Sequence, residues 1–475
     1  MTPHLIDIDW PDFGVPDLPP AVTLAEMRGR MAAIRAAMGA RGLDRLVIYG
    51  DREHAANITW ASGFDPRFEE ALLIIGREGE GERPDGGSAG GSAVLAAGNE
   101  CLSYTVISPL VVAGDIRTVL CPSLSLISQP RIGGMRLSDM LAGQISAGMR
   151  VGTVGWKYYG ADEVADPAGA VELPAVLVDM LRALAGPGQV VNATDLFMHP
   201  GYGLRAVVSV DEIARMEFSN HMAAKAVQRM AFSLREGMVD FAAVAAGQVG
   251  GLPLNCHLTF ATGARDAMGL TGPSGQTIRL GRQISFNVAH WGSNICRAGW
   301  VARTEADLPR TAQGYLAGFA GPYVAGLSRW FSMMRPGVAG GAVWAQVQAD
   351  LPFAIFGIFL NPGHLIGDDE WMSSPIYEGS DLPLRSGMAM QCDVIPAHPA
   401  WGSTRMEDGY IIADAALISA LAAAHPGVLA RMRARQGFMR DVIGLDVPDG
   451  LLPLADTCGI VAPFLLAPRR VIALG

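Results

Sequence analysis

The residues Ser209-Val-Asp-Glu212 divide this chain. A serine with a glutamate three positions later, followed by apolar residues at 3/4 spacing, marks a helix start. The hydroxyl accepts from an unpaired backbone N–H in the first turn, and the carboxylate reaches back to the serine N–H. The helix is predicted to run through Leu234 and to stop at Arg235-Glu-Gly237. A long capped helix that opens a new pattern after about 200 residues makes a seam, and the two sides of it read differently.

Ahead of the seam, a proline-rich arm leads to Leu24, Met27, Met31, Ile34 and Met38 at helical spacing, ending at Gly42. Short aliphatic runs follow at Arg45–Tyr49, Ala71–Ile75 and Gly152–Trp156. A glycine-rich loop is predicted over Gly76–Ala93 and a helix over Leu173–Leu184. Strands alternating with helices predict an α/β layer. Past the seam, helices are expected over Thr311–Met334 and Gly341–Asp350, with strands over Leu252–Phe260, Gln283–Val288, Met388–Asp393 and Gly409–Ala413. The fold class is α+β, with one domain over residues 1–204, a second over 205–475, and a helical C-terminal extension from about 415.

Composition narrows the partners. Only 17% of the 475 residues are charged, against an average near ~25%, and half are hydrophobic, so the chain has ample material for buried cores. With 36 Lys and Arg against 46 Asp and Glu, the net charge is -10, and there is no positive field to hold nucleic acid. The acidic N-terminus lacks the basic and apolar regions of an export signal. No apolar run reaches the ~18 residues of a membrane span; the most Ala/Leu-rich stretch, 415–430, is broken by His425 and Pro426. Six scattered cysteines without close pairs suit a reducing compartment. The expectation is a cytoplasmic protein with a small-molecule substrate and no nucleic-acid or membrane partner.

Several segments in order resemble the creatinase, prolidase and methionine aminopeptidase superfamily, the pita-bread fold. They are RAVVSVDEIARM from Arg205, MMRPGV from Met333, NPGHLIG from Asn361, LRSGMAMQCDVIP from Leu384 and MEDGYIIAD from Met406. DRLVIYGDREHAANITWASGF, from Asp44, resembles the N-terminal domain of creatinase-type members. The resemblance covers nearly the whole chain and implies a homodimer.

The peptidases of that superfamily hold two metal ions on two Asp, one His and two Glu. By the resemblance, their first Asp corresponds to Asn287 and their second falls near Ala298. The His is kept as His364, the first Glu position holds Asp393, and the second is Glu407. The family's proton-transferring His corresponds to Leu270 and a second His to Trp371. A neutral Asn and an apolar Ala do not balance two buried divalent ions. Creatinase, the superfamily's metal-free member, also resembles this chain in having Asn and Ala at those two positions.

The resemblance therefore implies a metal-independent hydrolase of a C–N bond in a small polar or amidine-type molecule, without cofactor. His364 would be the acid/base, and Asp393 and Glu407 the carboxylates that grip a cationic group. Asn287, His290, Trp371, His257 and Arg405 are candidate substrate-binding residues. Structural readings stand beside these: a salt bridge from Asp393 and Glu407 to Arg405 or Arg303, core histidines at 257 and 290, and buried apolar thiols at Cys256, Cys296 and Cys392. Trp291, Trp300 and Trp371 are either an aromatic wall or core. Two other functions stay open: a non-catalytic small-molecule binder, and a metallopeptidase of Xaa-Pro type or a lyase with a rebuilt site, mononuclear through His364, Asp393 and Glu407.

Overall fold

The computed structural model describes residues 2–77, 93–266 and 269–475. The chain forms two compact units, one over Ala21–Arg205 and one that joins the arm up to Pro20 with Ala206–Gly475. The arm thus belongs with the C-terminal unit and not with residues 21–204. Strand β1 (Pro3–Asp7) forms an antiparallel pair with the last strand, Arg470–Leu474, and Arg470 adds a side-chain contact to Asp7 at 3.0 Å. A pairing between the two ends of a chain has no local pattern to reveal it.

The unit over 21–205 is built on a six-stranded mixed sheet of β2 (Arg45–Gly50), β3 (Ala71–Gly76), β4 (Ala93–Ala97), β5 (Arg117–Leu120), β6 (Val151–Val154) and β7 (Val190–Asn192). Its order is β5-β4-β3-β2-β6-β7, with β2 antiparallel to β3 and parallel to β6. Strands β3 and β4 are wholly buried, as their unbroken aliphatic runs require in a sheet covered on both faces. The first helix, Leu24–Ala40, buries Met27, Met31, Ile34 and Met38, the predicted stripe. Gly42 just beyond it has φ +65°, the left-handed conformation that ends a helix at little cost. The predicted loop Gly76–Ala93 lies almost entirely outside the described residues, its two end residues closing β3 and opening β4.

The C-terminal unit holds two four-stranded antiparallel sheets. One comprises β8 (Phe260–Ala261), β9 (Gln283–His290), β10 (Ser293–Trp300) and β13 (Arg405–Glu407), in the order β13-β10-β9-β8. The other comprises β11 (His364–Leu365), β12 (Ala389–Gln391), β14 (Gly409–Ile412) and β15 (Leu451–Pro453), in the order β11-β12-β14-β15. The terminal strand Arg470–Leu474 is β16. The helix Val210–Ser233 opens on the predicted capping box, with Ser209 Oγ accepting from Glu212 N and the Glu212 carboxylate accepting from Ser209 N. Its first turns close a core with Ile366, Ala389, Ile411 and Leu452 of the second sheet, and the helix also packs along β9 and β10 of the first, where Asn220 Nδ2 donates to Gly292 O at 2.8 Å.

Two elements differ from the sequence expectation. The strand predicted over Leu252–Phe260 is irregular from Pro253 to Thr259 and gives way at Phe260 to the two-residue β8. The helix predicted from Thr311 becomes a short 3₁₀ turn, a π-turn over Leu316–Ala320 and then an α-helix over Gly321–Met333, because Gly314 (φ +80°) and the Gly321-Pro322 pair interrupt the ladder. Among the described residues no helix is long and apolar enough to cross a membrane.

Candidate functional site

The side chains that could do chemistry stand in rows on one face of the sheet that carries β9, β10 and β13. Directly paired residues share a face, and side chains alternate along each strand. Cys296 on β10 pairs with Asn287 and with Glu407. One step along, Ala298 pairs with Ser285 and with Arg405. Another step along, Trp300 pairs with Gln283.

The second sheet brings His364 and Gln391, paired at the β11–β12 edge. The turn that presents His364 needs Gly363, whose φ is +129° and which lies so close that an added Cβ would meet Gln391 O at 3.0 Å. Trp330 Nε1 donates to Pro362 O at 2.6 Å and pins the same turn. His364 is fully buried, and Trp371 stacks on its ring at 4.2 Å between centroids.

A chain of amides orients the acids. Asn287 Oδ1 accepts from the backbone N–H of Thr259 at 2.7 Å, which fixes which way its amide faces, because a backbone N–H can only donate. Its Nδ2 then donates to Asn294 Oδ1 at 3.1 Å. That leaves Asn294 Nδ2 to donate to Glu370 Oε1 at 3.0 Å and to Glu407 Oε1 at 2.8 Å. Gln391 Nε2 also donates to Glu407 Oε1, at 3.3 Å, and to Asn294 O. Behind the sheet, Arg297 donates to Glu407 O at 3.1 Å and to Asp408 Oδ2 at 2.8 Å, so the strand bearing Glu407 is clamped from its other face.

His364 Nε2 lies 3.5 Å from Glu370 Oε1 and 3.9 Å from Asp393 Oδ2. One atom each of His364, Glu370 and Glu407 fall within 4.8 Å of one another. His364 Nδ1 lies 3.2 Å from Leu365 O, and a carbonyl can only accept, so Nδ1 carries the proton and Nε2 presents a lone pair. That Nε2 is buried and has no hydrogen-bond partner.

Burial dominates the titration of these groups. It pushes Glu407 well above the usual carboxylate range, with Asp393 and Cys296 adding to the effect. It raises Asp393 to about 6, against the pull of His364. Glu370 is also raised by burial, partly offset by the Asn294 hydrogen bond, and burial lowers His364 so that the ring is neutral. Three carboxyl groups thus face one neutral imidazole and one guanidinium, that of Arg405.

The predicted candidates divide accordingly. His364, Asp393, Glu407 and Trp371 come together, and Asn287 reaches them as an orienting amide. Arg405 lies on the same sheet face, but no carboxylate approaches it within 4.0 Å among the described residues, so the expected salt bridge to Asp393 or Glu407 does not form. His290 does not join them. It is three residues from Asn287 on the same strand, and the two-residue period sends it to the opposite face, where it is buried against the backbone of Val249, Leu252 and Pro253. His257 is exposed, 2.8 Å from Leu270 O. Among the thiols, Cys256 borders Asn287 and is pushed up to about 11 by burial, and Cys392 is held far above its ordinary value, so neither is a ready thiolate. Glu370, Asn294 and Gln391 were not expected. Glu370 closes an acidic loop, Asp368-Asp369-Glu370, that reads as solvent-exposed, and only its place six residues after His364 and beside Trp371 hints at the site.

The fold family implies two metal ions, and these residues do not fit a pair. Asn287 spends both ends of its amide on neighbours, and Ala298 offers nothing. One ion does fit: the unpartnered Nε2 of His364 and the carboxylates of Glu370 and Glu407 form a hard, oxygen-rich donor set, with Asp393 beside it.

Beside the cluster lies a cavity of about 600 Å³, lined among others by Gln283, Ser285, Trp300, His398, Ser403 and Arg405. Four of these continue the rows described above, so the cavity covers the sheet face next to the acids.

No family model matches this sequence, and neither does any curated protein. Solved structures do match. The prolidase of Pyrococcus horikoshii superposes with a TM-score of 0.59 at 16% identity, covering 81% of this chain and 95% of that one. The dipeptidase PepE of Mycobacterium ulcerans gives 0.57 at 18% identity, over 83% and 95%. The aminopeptidase PepP of Pseudomonas aeruginosa gives 0.55 at 16% identity, over 85% and 98%. With the sheets, the capped helix and the motif order in agreement, this chain has the pita-bread fold of the creatinase and prolidase superfamily.

Proposed function

We propose that this chain is a hydrolase of a C–N bond in a small polar molecule and that it works with one divalent cation on His364, Glu370 and Glu407. The observation that carries the reading is the buried Nε2 of His364, a lone pair without a partner, aimed among carboxylates that burial leaves short of positive charge. An uncompensated acid cluster is costly, and a bound cation removes that cost. This departs from the metal-free expectation and takes up its alternative, a rebuilt mononuclear site, with Glu370 in the place expected of Asp393.

When bound, such an ion polarises the scissile carbonyl and lowers the pKa of water. The residues supply the rest. His364 is held by Leu365 O in the tautomer that ligates, and Asn294 holds Glu370 and Glu407 toward one point. Asp393, raised to about 6, takes the proton of the attacking water and returns it to the leaving nitrogen as the C–N bond breaks. The stacked Trp371 keeps bulk water from one face of His364.

Xaa-Pro dipeptides are the first substrates to try, because solved structures of this fold include an Xaa-Pro dipeptidase; N-acyl amino acids and amidines come next. The test is elemental analysis after dialysis and reloading with Mn²⁺, Co²⁺, Zn²⁺ or Fe²⁺, followed by a turnover screen. The expected result is one ion per chain, lost in Glu407→Gln, with turnover that follows the ion. No retained metal overturns the single-ion reading, and ion binding without turnover of any C–N substrate overturns the hydrolase reading.

A further inference from the structure

We propose that the cavity beside the His364 cluster holds a long apolar acyl chain, so that the ligand is an N-acyl amide whose chain lies along the sheet, away from the acids. This deepens the hydrolase reading and rests on it for the amide being cut; where the apolar chain lies follows from the cavity itself.

The outer part of the cavity has little polarity to offer. Its wall includes Trp300, Pro396, Ala397, Pro399 and Ala400. The polar side chains between them are spent on the protein. Arg282 pairs with Asp266 at 2.9 Å, and Gln283 uses both ends of its amide, on Trp401 O and Ser403 N. Ser403 Oγ donates to Pro396 O at 2.7 Å, and Trp300 Nε1 donates to Trp401 O at 3.1 Å. His398 accepts at Nδ1 from the N–H groups of Ala400 and Trp401, so its proton is on Nε2 and that N–H is left open. Single donors of this kind cannot serve the N–H and C=O groups of successive peptide units, whereas a hydrocarbon asks for no partner.

The rows of the sheet give the chain a direction and a length. The inner end of the cavity is polar, because Arg405 stands there in the field of Glu407 and Asp393. From the Glu407 row to the row of Arg405 and Ala298 is one two-residue strand step, and to the row of Trp300 and Gln283 is another, about 13 Å in all. A dipeptide reaches at most about 7 Å, so it covers one step and leaves the Trp300 row untouched. The volume of about 600 Å³ is in the range that encloses drug-sized ligands. The apolar surface also continues past the wall: Ala397 N donates to Phe356 O at 2.7 Å, and Phe353, Phe359 and Leu360 of that segment stand exposed. Exposed apolar groups gathered beside a cavity mark a place where apolar material binds. The amide then lies among His364, Glu370 and Glu407, and its acyl chain runs outward over Ala298 to Trp300.

Isothermal titration of the full chain with N-octanoylglycine, N-acetylglycine and tetraglycine tests this. One N-octanoylglycine should bind per chain, at least about 100-fold more tightly than either of the others, since each further methylene taken out of water is worth up to about fourfold. Ala400→Trp and Ala397→Trp, which fill the cavity from its wall, should each bring the preference for octanoyl over acetyl below about tenfold, and a melting curve shows that each variant folds. The comparison of the three ligands on the native chain decides the matter where a variant does not. Equal binding of octanoyl and acetyl, tetraglycine bound as tightly as N-octanoylglycine, several octanoyl molecules per chain, no measurable binding, or a preference that survives both folded variants overturns the proposal. Binding with the expected preference but without turnover of any acylglycine leaves the chain site standing and removes the hydrolase reading; turnover that ignores chain length does the reverse.

Discussion

The C-terminal unit buries two clusters of charge, and they are built on opposite plans. In the first, Glu217 on the capped helix meets Arg431 at 2.8 Å and Arg435 at 2.8 Å. Arg435 also meets Asp456 at 2.8 Å, and Asp456 has His221 at 2.9 Å and Lys225 at 3.4 Å. Burial alone would raise Asp456, but His221 and Arg435 outweigh it and hold the carboxyl below its ordinary value. In the second, Glu370, Asp393 and Glu407 all stand above theirs, because burial is not answered. In the first cluster each carboxylate meets cations as folded, and the cluster ties the helix Pro426–Asp441 to the helix Val210–Ser233. The second has no such answer among the described residues, and the proposed cation would supply it. Similar burial with opposite compensation separates a structural ion network from a binding site more clearly than residue type does.

The largest effect expected from this contrast is on the first cluster. Asp456→Ala should cost about 3–5 kcal/mol of stability, since it leaves Arg435 buried with half of its partners gone, and urea unfolding would measure it. A loss below about 1 kcal/mol would mean that the network is no staple. The next effect is on the second cluster. A divalent cation at a hundredfold excess over its Kd should add about 2.7 kcal/mol.

That gain has a pH window. The folded carboxyl of Asp393, at about 6, lies above its ordinary value of 3.8, so the cation-free folded state holds a proton that the unfolded state has released. Without cation, the contribution of this group to stability therefore falls as pH rises from about 4 to about 6. The cation competes with that proton, and the metal-induced shift in melting temperature should be full above about pH 7 and fade below about pH 6. A shift independent of pH would place the ion elsewhere. Smaller still, Glu370→Gln should weaken cation affinity at least about tenfold, with a native melting curve in the absence of metal. At the bottom of the scale, His257→Ala should change stability by under about 0.5 kcal/mol and leave cation affinity untouched, as suits an exposed ring.

What the sequence could reveal of this contrast depended on range. The capping box, the Met27–Met38 stripe and the turn before His364 are local, and local chemistry is legible. His364, Asp393 and Glu407 were reached through ordered motifs, and the fold those motifs implied is the one found. Glu370 and Asn294 were not, because their role exists only after two sheets have brought distant segments together. At His290 the core reading holds and the binding one does not: closeness along a strand is not closeness in space, because the alternation of side chains puts a residue three places away on the other face. The metal-free expectation follows from counting lost ligands, and the proposed single ion rests on Glu370, which that count leaves out.

One further consequence lies in the pairing of β1 with β16. The contact between Asp7 and Arg470 spans 463 residues of sequence. The first of these strands is therefore made long before its partner and stays unpaired until the segments between them exist, so the pair is of the non-local kind that forms late. β16 therefore acts as a clasp on β1, which until then carries an unpaired edge of the kind that other chains can pair with.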